Sequence, residues 1–185
     1  MIPCYVGGKG MYATAVTWDV KTAVIVALEE GGMGCDTRFR YYRRQFPDMS
    51  TAELARLVCD PIENYDRDWP AWRARQTADC DDNERITAFF LERDTHFREE
   101  ARVGIFCLDE AGFGSGVNVM RFIHAGKPIL GIYNSGAQSR AVNVGNFLQL
   151  RMEYPKLISL FAYQAVDDML GEVQRWLSVL PAVRS

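Results

Sequence analysis

The chain has 185 residues, enough for one domain that buries a core without disulfide or metal staples. Apolar residues make up 48% and charged residues 24%, which excludes a disordered chain. The formal net charge of -3 offers no broad electrostatic grip on nucleic acid, and the longest apolar run, Ala23 to Leu28, is too short to span a bilayer.

The first strand is predicted over Ile2 to Val6 and ends in Gly7-Gly8-Lys9-Gly10. No basic segment followed by an apolar stretch precedes that glycine pair, so no signal peptide is expected. Val20, Ala23, Val24, Ala27 and Leu28 share one face of a helix predicted from about Asp19 to Glu30, which Gly31-Gly32 should end. From Met33 to Asp82 the chain becomes rich in charge and aromatic residues, including Arg38, Arg40, Arg43, Arg44, Trp69 and Trp72. This stretch reads as an irregular insertion over the core. The four arginines read as a solvated basic face. Within the stretch, Ser50-Thr51-Ala52-Glu53 has capping-box spacing and predicts a short helix through Val58; a second strand is looked for near Leu57 to Cys59.

The second half alternates regularly. Asp81 or Asp82 caps a helix that runs to about Glu100. A strand from Val103 to Leu108 leads into the loop Asp109-Glu110-Ala111-Gly112-Phe113-Gly114-Ser115-Gly116. A helix from Val117 to Ala125 is followed by a strand from Ile129 to Tyr133 and the loop Asn134-Ser135-Gly136. A helix from about Arg140 to Met152, a strand from Leu157 to Tyr163 and a helix from Ala165 to Leu180 close the chain. The strands are short apolar runs without period-two patterning, and they alternate with helices. That predicts an α/β fold, a doubly wound parallel sheet of about five strands covered on both faces.

Ligands of such sheets bind at the carboxyl ends of the strands. The loops that should converge there are Gly7 to Gly10, Asp109 to Gly116 and Asn134 to Gly136, with Gly7, Gly8, Asn134 and Ser135 among the candidate ligand contacts. Gly112, Gly114 and Gly116 let backbone approach a ligand. Ser115 and the next helical turn offer free N–H groups and the positive end of a dipole, which suits a phosphate on the backbone of Gly114 to Val117. Asp94 is the second signal. It lies on the helical stripe of Ile86, Phe90 and Phe97, where a carboxylate is costly unless it has a partner or a task. A tight turn without ligand and a structural carboxylate are the plain alternatives.

The five cysteines, Cys4, Cys35, Cys59, Cys80 and Cys107, form no Cys-x-x-Cys pair, and the two histidines, His96 and His124, are placed on helix faces. No metal site and no cofactor is therefore expected, and the thiols are read as reduced in a cytoplasmic protein. The aromatic-rich stretch around Trp69 and Trp72 is hard to cover within one chain, so a homodimer or larger is expected.

The order of features resembles a known family. Asp94, Ala101, the strand Val103 to Leu108, Gly114-Ser115-Gly116-Val117-Asn118 and Ala125-Gly126-Lys127-Pro128-Ile129-Leu130, with Tyr5-Val6-Gly7-Gly8 at the start, are similar to the nucleoside 2-deoxyribosyltransferases and the 2'-deoxynucleoside 5'-phosphate N-hydrolases. The resemblance implies a flavodoxin-like sheet, subunits assembled as dimers or larger, and cleavage of an N-glycosidic bond. In that family a glutamate after the glycine loop attacks C1' of the sugar and an Asp on the preceding helix assists. Asp94 matches the Asp, and the nucleophile position falls on Asn118. A neutral amide is a poor nucleophile toward an oxocarbenium-like centre. Two readings stay open. One is an N-glycosidase or transferase with rearranged carboxylates, Asp94, Asp109 or Glu110 activating water. The other is a catalytically silent nucleotide-binding module. In both the partner is a small nucleoside or nucleotide, with neither nucleic acid nor membrane.

Overall fold

A computed structural model of the chain describes residues 1–9, 14–59, 69–74, 82–136 and 141–180. Five strands, β1 (Ile2–Gly7), β2 (Gly34–Asp36), β3 (Val103–Cys107), β4 (Ile129–Asn134) and β5 (Ile158–Tyr163), form one sheet in the order β2-β1-β3-β4-β5. Every neighbouring pair is parallel. The helices are α1 (Ala15–Gly31), α2 (Thr37–Gln45), α3 (Thr51–Cys59), α4 (Trp69–Ala74), α5 (Asp82–Glu100), α6 (Phe113–His124), α7 (Ala141–Glu153) and α8 (Val166–Val179). This is a flavodoxin-like doubly wound α/β fold. The chain adds β2 on one side of β1 and then returns to add β3 on the other. The switch point of the topology, where a crevice opens, therefore lies between the carboxyl ends of β1 and β3.

Alternation along the strands sends Tyr5, Gly7, Gly104, Phe106 and Gly131 to one face, in the register Tyr5 to Gly104, Gly7 to Phe106 and Phe106 to Gly131. Helices α5, α6 and α7 cover this face, and the rings of Tyr5, Phe106 and Phe122 pack with centroids 5.7–6.1 Å apart. Three glycines, Gly7, Gly104 and Gly131, make room for rings here. A Cβ on Gly7 would stand 2.5 Å from the Phe106 ring, and one on Gly131 would stand 2.6 Å from the Phe147 ring. The opposite face carries Cys4, Val6, Ile105 and Leu130, all buried, under α1 and α8.

Sequence and structure differ most between residues 33 and 59. This segment is not an irregular insertion: it supplies β2 and two helices that bury Phe39, Tyr42, Leu54, Ala55 and Val58. The second strand is Gly34–Asp36, and Leu57 to Cys59 is the end of α3. A three-residue edge strand of Gly-Cys-Asp has no apolar run to announce it. The capping box at the start of α3 is formed reciprocally, with Ser50 N–H donating to Glu53 Oε2 at 3.1 Å and Glu53 N–H donating to Ser50 Oγ at 3.3 Å. Arg38 departs from the expected basic face: it is buried and paired with Asp36, whereas Arg40 and Arg44 are exposed. Cys80 and the side chains of Trp69 and Trp72 lie outside the described residues. Among the described residues no helix is long and apolar enough to cross a membrane.

Candidate functional site

At the switch point β1 ends in Gly7 and turns through Gly8, whose φ is +137°. A Cβ there would meet the Cys107 carbonyl at 2.9 Å, so the turn hugs the end of β3 and tolerates only glycine. Behind it, on the α1 face, the Lys21 side chain is buried and its Nζ donates to the Lys9 carbonyl at 3.2 Å. Burial lowers the Lys21 ammonium from its usual range and pushes the neighbouring Cys107 thiol up to about 12.

On the other face the Tyr5 hydroxyl joins two helices. It donates to Asp94 Oδ1 of α5 at 3.1 Å and accepts from Asn118 Nδ2 of α6 at 3.1 Å. Arg98, one turn after Asp94, closes the ring: its Nη1 donates to Asn118 Oδ1 at 2.6 Å and lies 3.5 Å from Asp94 Oδ2. Burial, reinforced by the Asp94 charge, holds the Tyr5 hydroxyl far above its ordinary pKa, so it stays a neutral donor. Arg38 approaches the same ring, its guanidinium carbon 5.0 Å from the Tyr5 centroid, while donating to the Val6 carbonyl at 2.5 Å. Of the Tyr5–Asp94–Arg98–Asn118 group, Asp94 keeps a side chain 30% exposed, and Arg98 is at 7%.

The remaining residues singled out from the sequence fall into separate groups. Asp109 is buried at the end of β3, where Oδ1 accepts from the Asn134 N–H at 2.9 Å and Oδ2 from the Tyr163 hydroxyl at 2.6 Å. It ties β3 to the ends of β4 and β5. Glu110 turns toward α1, its Oε2 accepting from Thr14 N–H at 2.9 Å and Thr14 Oγ1 at 3.0 Å. Hydrogen bonds from Thr17 and Thr14 hold its carboxyl below the usual range, as suits an anion at a helix N-terminus. The Asn134 side chain accepts from Gly136 N–H at 2.8 Å within the turn, and Ser135 Oγ donates to the Tyr163 carbonyl at 3.3 Å, which ties the turn to the end of β5.

The glycine loop is shorter than the sequence implies. Helix α6 begins at Phe113 with Gly112 as its N-cap, so Gly114, Ser115 and Gly116 form its first turn. The Gly116 N–H is already bonded to the Gly112 carbonyl at 3.2 Å, which moves the free donors to Phe113, Gly114 and Ser115. Gly112, Gly114 and Gly116 face open space, Ser115 is buried, and Phe113 is 92% exposed.

Sequence reasoning brought Asp94 and Asn118 to attention and missed the two residues that connect them. Arg98 was legible as an i,i+4 partner of Asp94. Tyr5 carried no polar signal, because a tyrosine in an apolar strand reads as core. Among the described residues no group of three or more histidine, cysteine, aspartate or glutamate side chains is arranged to hold a metal ion. The sequence matches no protein-family model, and no curated protein matches it.

Proposed function

We propose that this chain binds a nucleoside or nucleotide at the carboxyl ends of β1 and β3, in the manner of the 2-deoxyribosyltransferase-like proteins it resembles, and that position 118 does not serve as a nucleophile. The observation that carries the reading is the Tyr5 hydroxyl bridging Asp94 and Asn118 beside the switch point. These are the two positions that the resemblance assigns to the catalytic pair.

The polarity of the group favours binding over covalent chemistry. Arg98 can only donate, so it takes the amide oxygen of Asn118. The amide NH₂ then faces Tyr5, and the Tyr5 proton goes to Asp94. Both ends of the amide are committed and it carries no charge to stabilise an oxocarbenium-like centre. Asp94, partly exposed, keeps acceptor capacity for a sugar hydroxyl or an exocyclic amine. One helical turn up from Asn118, about 5 Å away, the N–H groups of Phe113 to Ser115 suit a phosphate, a spacing that fits a sugar joined to its 5'-phosphate. Phe113 offers an exposed ring on which a base can stack. Asp109 and Glu110 are engaged in holding strand ends and the start of α1, which leaves Asp94 as the carboxylate available to a ligand.

Chromatography of free base after incubation with a panel of nucleosides and monophosphates tests this reading. The wild type should release base no faster than the blank. Asn118→Glu should raise release from deoxynucleoside monophosphates, and Asp94→Ala in that background should abolish the gain. Wild-type turnover that survives Asn118→Ala would overturn the assignment.

A further inference from the structure

A cationic groove lies beside the Tyr5 group, sharing Arg98 with it, between the carboxyl-terminal halves of α5 and α6. A groove of about 300 Å³ is lined there by Thr95, Arg98, Glu99, Arg121, Phe122 and Lys127, with Ala125 at its edge. Three cations meet one carboxylate in this lining. We propose that the groove binds a phosphate group, free or carried by a small metabolite, between the guanidiniums of Arg98 and Arg121.

The side chains are arranged for an oxyanion more than for each other. Two guanidiniums converge on one neutral oxygen: Arg98 Nη2 donates to Thr95 Oγ1 at 2.9 Å, and Arg121 Nη1 donates to it at 3.5 Å. Like charges are thereby brought together with only a hydroxyl between them. Lys127 stands beside them, 5.7 Å above the Phe122 ring.

Completion of helix ends accounts for Lys127, whose Nζ donates to the Arg98 and Glu99 carbonyls at 2.7 and 3.0 Å, but not for the arginines. Arg98 divides its guanidinium, with Nη1 on the Asn118 amide oxygen and Nη2 on Thr95, and Arg121 reaches the same Thr95 hydroxyl. The nearest carboxylate contact of Arg98, Asp94 at 3.5 Å, is shared with Tyr5. Burial lowers the pKa of both Arg98 and Lys127, and for Arg98 the Arg121 charge adds to that effect against the opposing pull of Asp94. The lining sets three cations against Glu99, with the Asp94 carboxylate shared with Tyr5, and a bound anion would offset the excess positive charge. Paired guanidiniums match the geometry of phosphate oxygens, and the groove sits at the small end of the range for ligand sites.

The test is calorimetric titration of the full chain in a phosphate-free buffer at low ionic strength. Inorganic phosphate and glycerol 3-phosphate are used in separate arms, so that a free anion and a phosphate ester are told apart. Wild-type binding to at least one of them with Kd on the order of 1 mM is expected. Arg121→Gln removes an exposed side chain and should weaken that binding about tenfold or more, while the ligand-free melting temperature stays put. Arg121→Lys, which keeps the charge, should bind with intermediate strength. Arg151→Gln on α7 should leave binding unchanged. Phosphate binding that Arg121→Gln leaves intact belongs elsewhere, the start of α6 included, and overturns the assignment. Absence of binding to both probes also overturns it. The nucleoside reading is tested separately, through Asp94, to which Arg121 has no hydrogen bond or ion pair among the described residues.

Discussion

Arg98 and Asn118 are joined by a 2.6 Å hydrogen bond from guanidinium to amide oxygen, and that bond turns the amide NH₂ toward the Tyr5 hydroxyl. A carboxylate at position 118 would face the same guanidinium as an ion pair. The amide makes the site a polarised scaffold, with its acceptor capacity gathered on Asp94.

Two glycine substitutions should have opposite signs. Gly131→Ala drives a methyl group to within 2.6–2.8 Å of the Phe147 ring in a buried strand and should destabilise by about 1–3 kcal/mol. Gly145→Ala, in α7 with nothing within 4 Å of the added carbon, should be neutral or stabilise by up to about 1 kcal/mol. Urea denaturation of the pair decides this, and equal effects would mean that Phe147 yields freely.

The Asp36–Arg38 pair is a structural centre at the carboxyl ends of β1 and β2. Asp36 caps α2 through the Arg38 and Phe39 N–H groups, accepts from the Val6 N–H at 2.9 Å, and pairs with the Arg38 guanidinium at 3.2 Å. Although burial opposes its charge, Arg38 is held above its ordinary pKa by Asp36. Arg38→Met should cost about 3–5 kcal/mol in denaturant unfolding, because it strands a fully buried carboxylate. A loss under about 1 kcal/mol would show that the three N–H groups suffice.

Glu29 should make stability depend on pH. Its Oε1 accepts from the Asp36 N–H at 2.9 Å, yet burial raises its carboxyl from 4.5 to about 7. A carboxyl raised on folding binds its proton more tightly in the native state. Its contribution is therefore fully present below the unfolded value of 4.5 and fades as pH rises through about 7. Glu29→Gln should flatten the melting temperature over that window. An unchanged slope would assign the pH dependence to other groups.

The fold was legible because β3, β4 and β5 are apolar runs set between glycine and polar loops, and the helices between them keep their periodicity. The first-half strand β2 was not, since three residues of Gly-Cys-Asp pair with β1 through backbone alone. At the site, Asp94 stood out as a carboxylate on an apolar stripe and Asn118 as a departure from a resembled pattern. Asp109 looked like a catalytic candidate from its place in the loop. Its commitment to Asn134 and Tyr163 depends on how three strand ends are brought together, which spacing along the chain does not encode.

Under the proposed function the crevice binds a nucleoside or nucleotide through Asp94. Calorimetric titration of the full chain with a panel of nucleosides and their 5'-monophosphates tests it most directly, with Asp94→Asn as the paired variant. Saturable binding of at least one member with Kd between about 1 μM and 1 mM is expected, weakened about tenfold or more by Asp94→Asn in a protein that keeps the wild-type circular-dichroism spectrum. No saturable heat with any member of the panel, or binding that Asp94→Asn leaves intact, would contradict it.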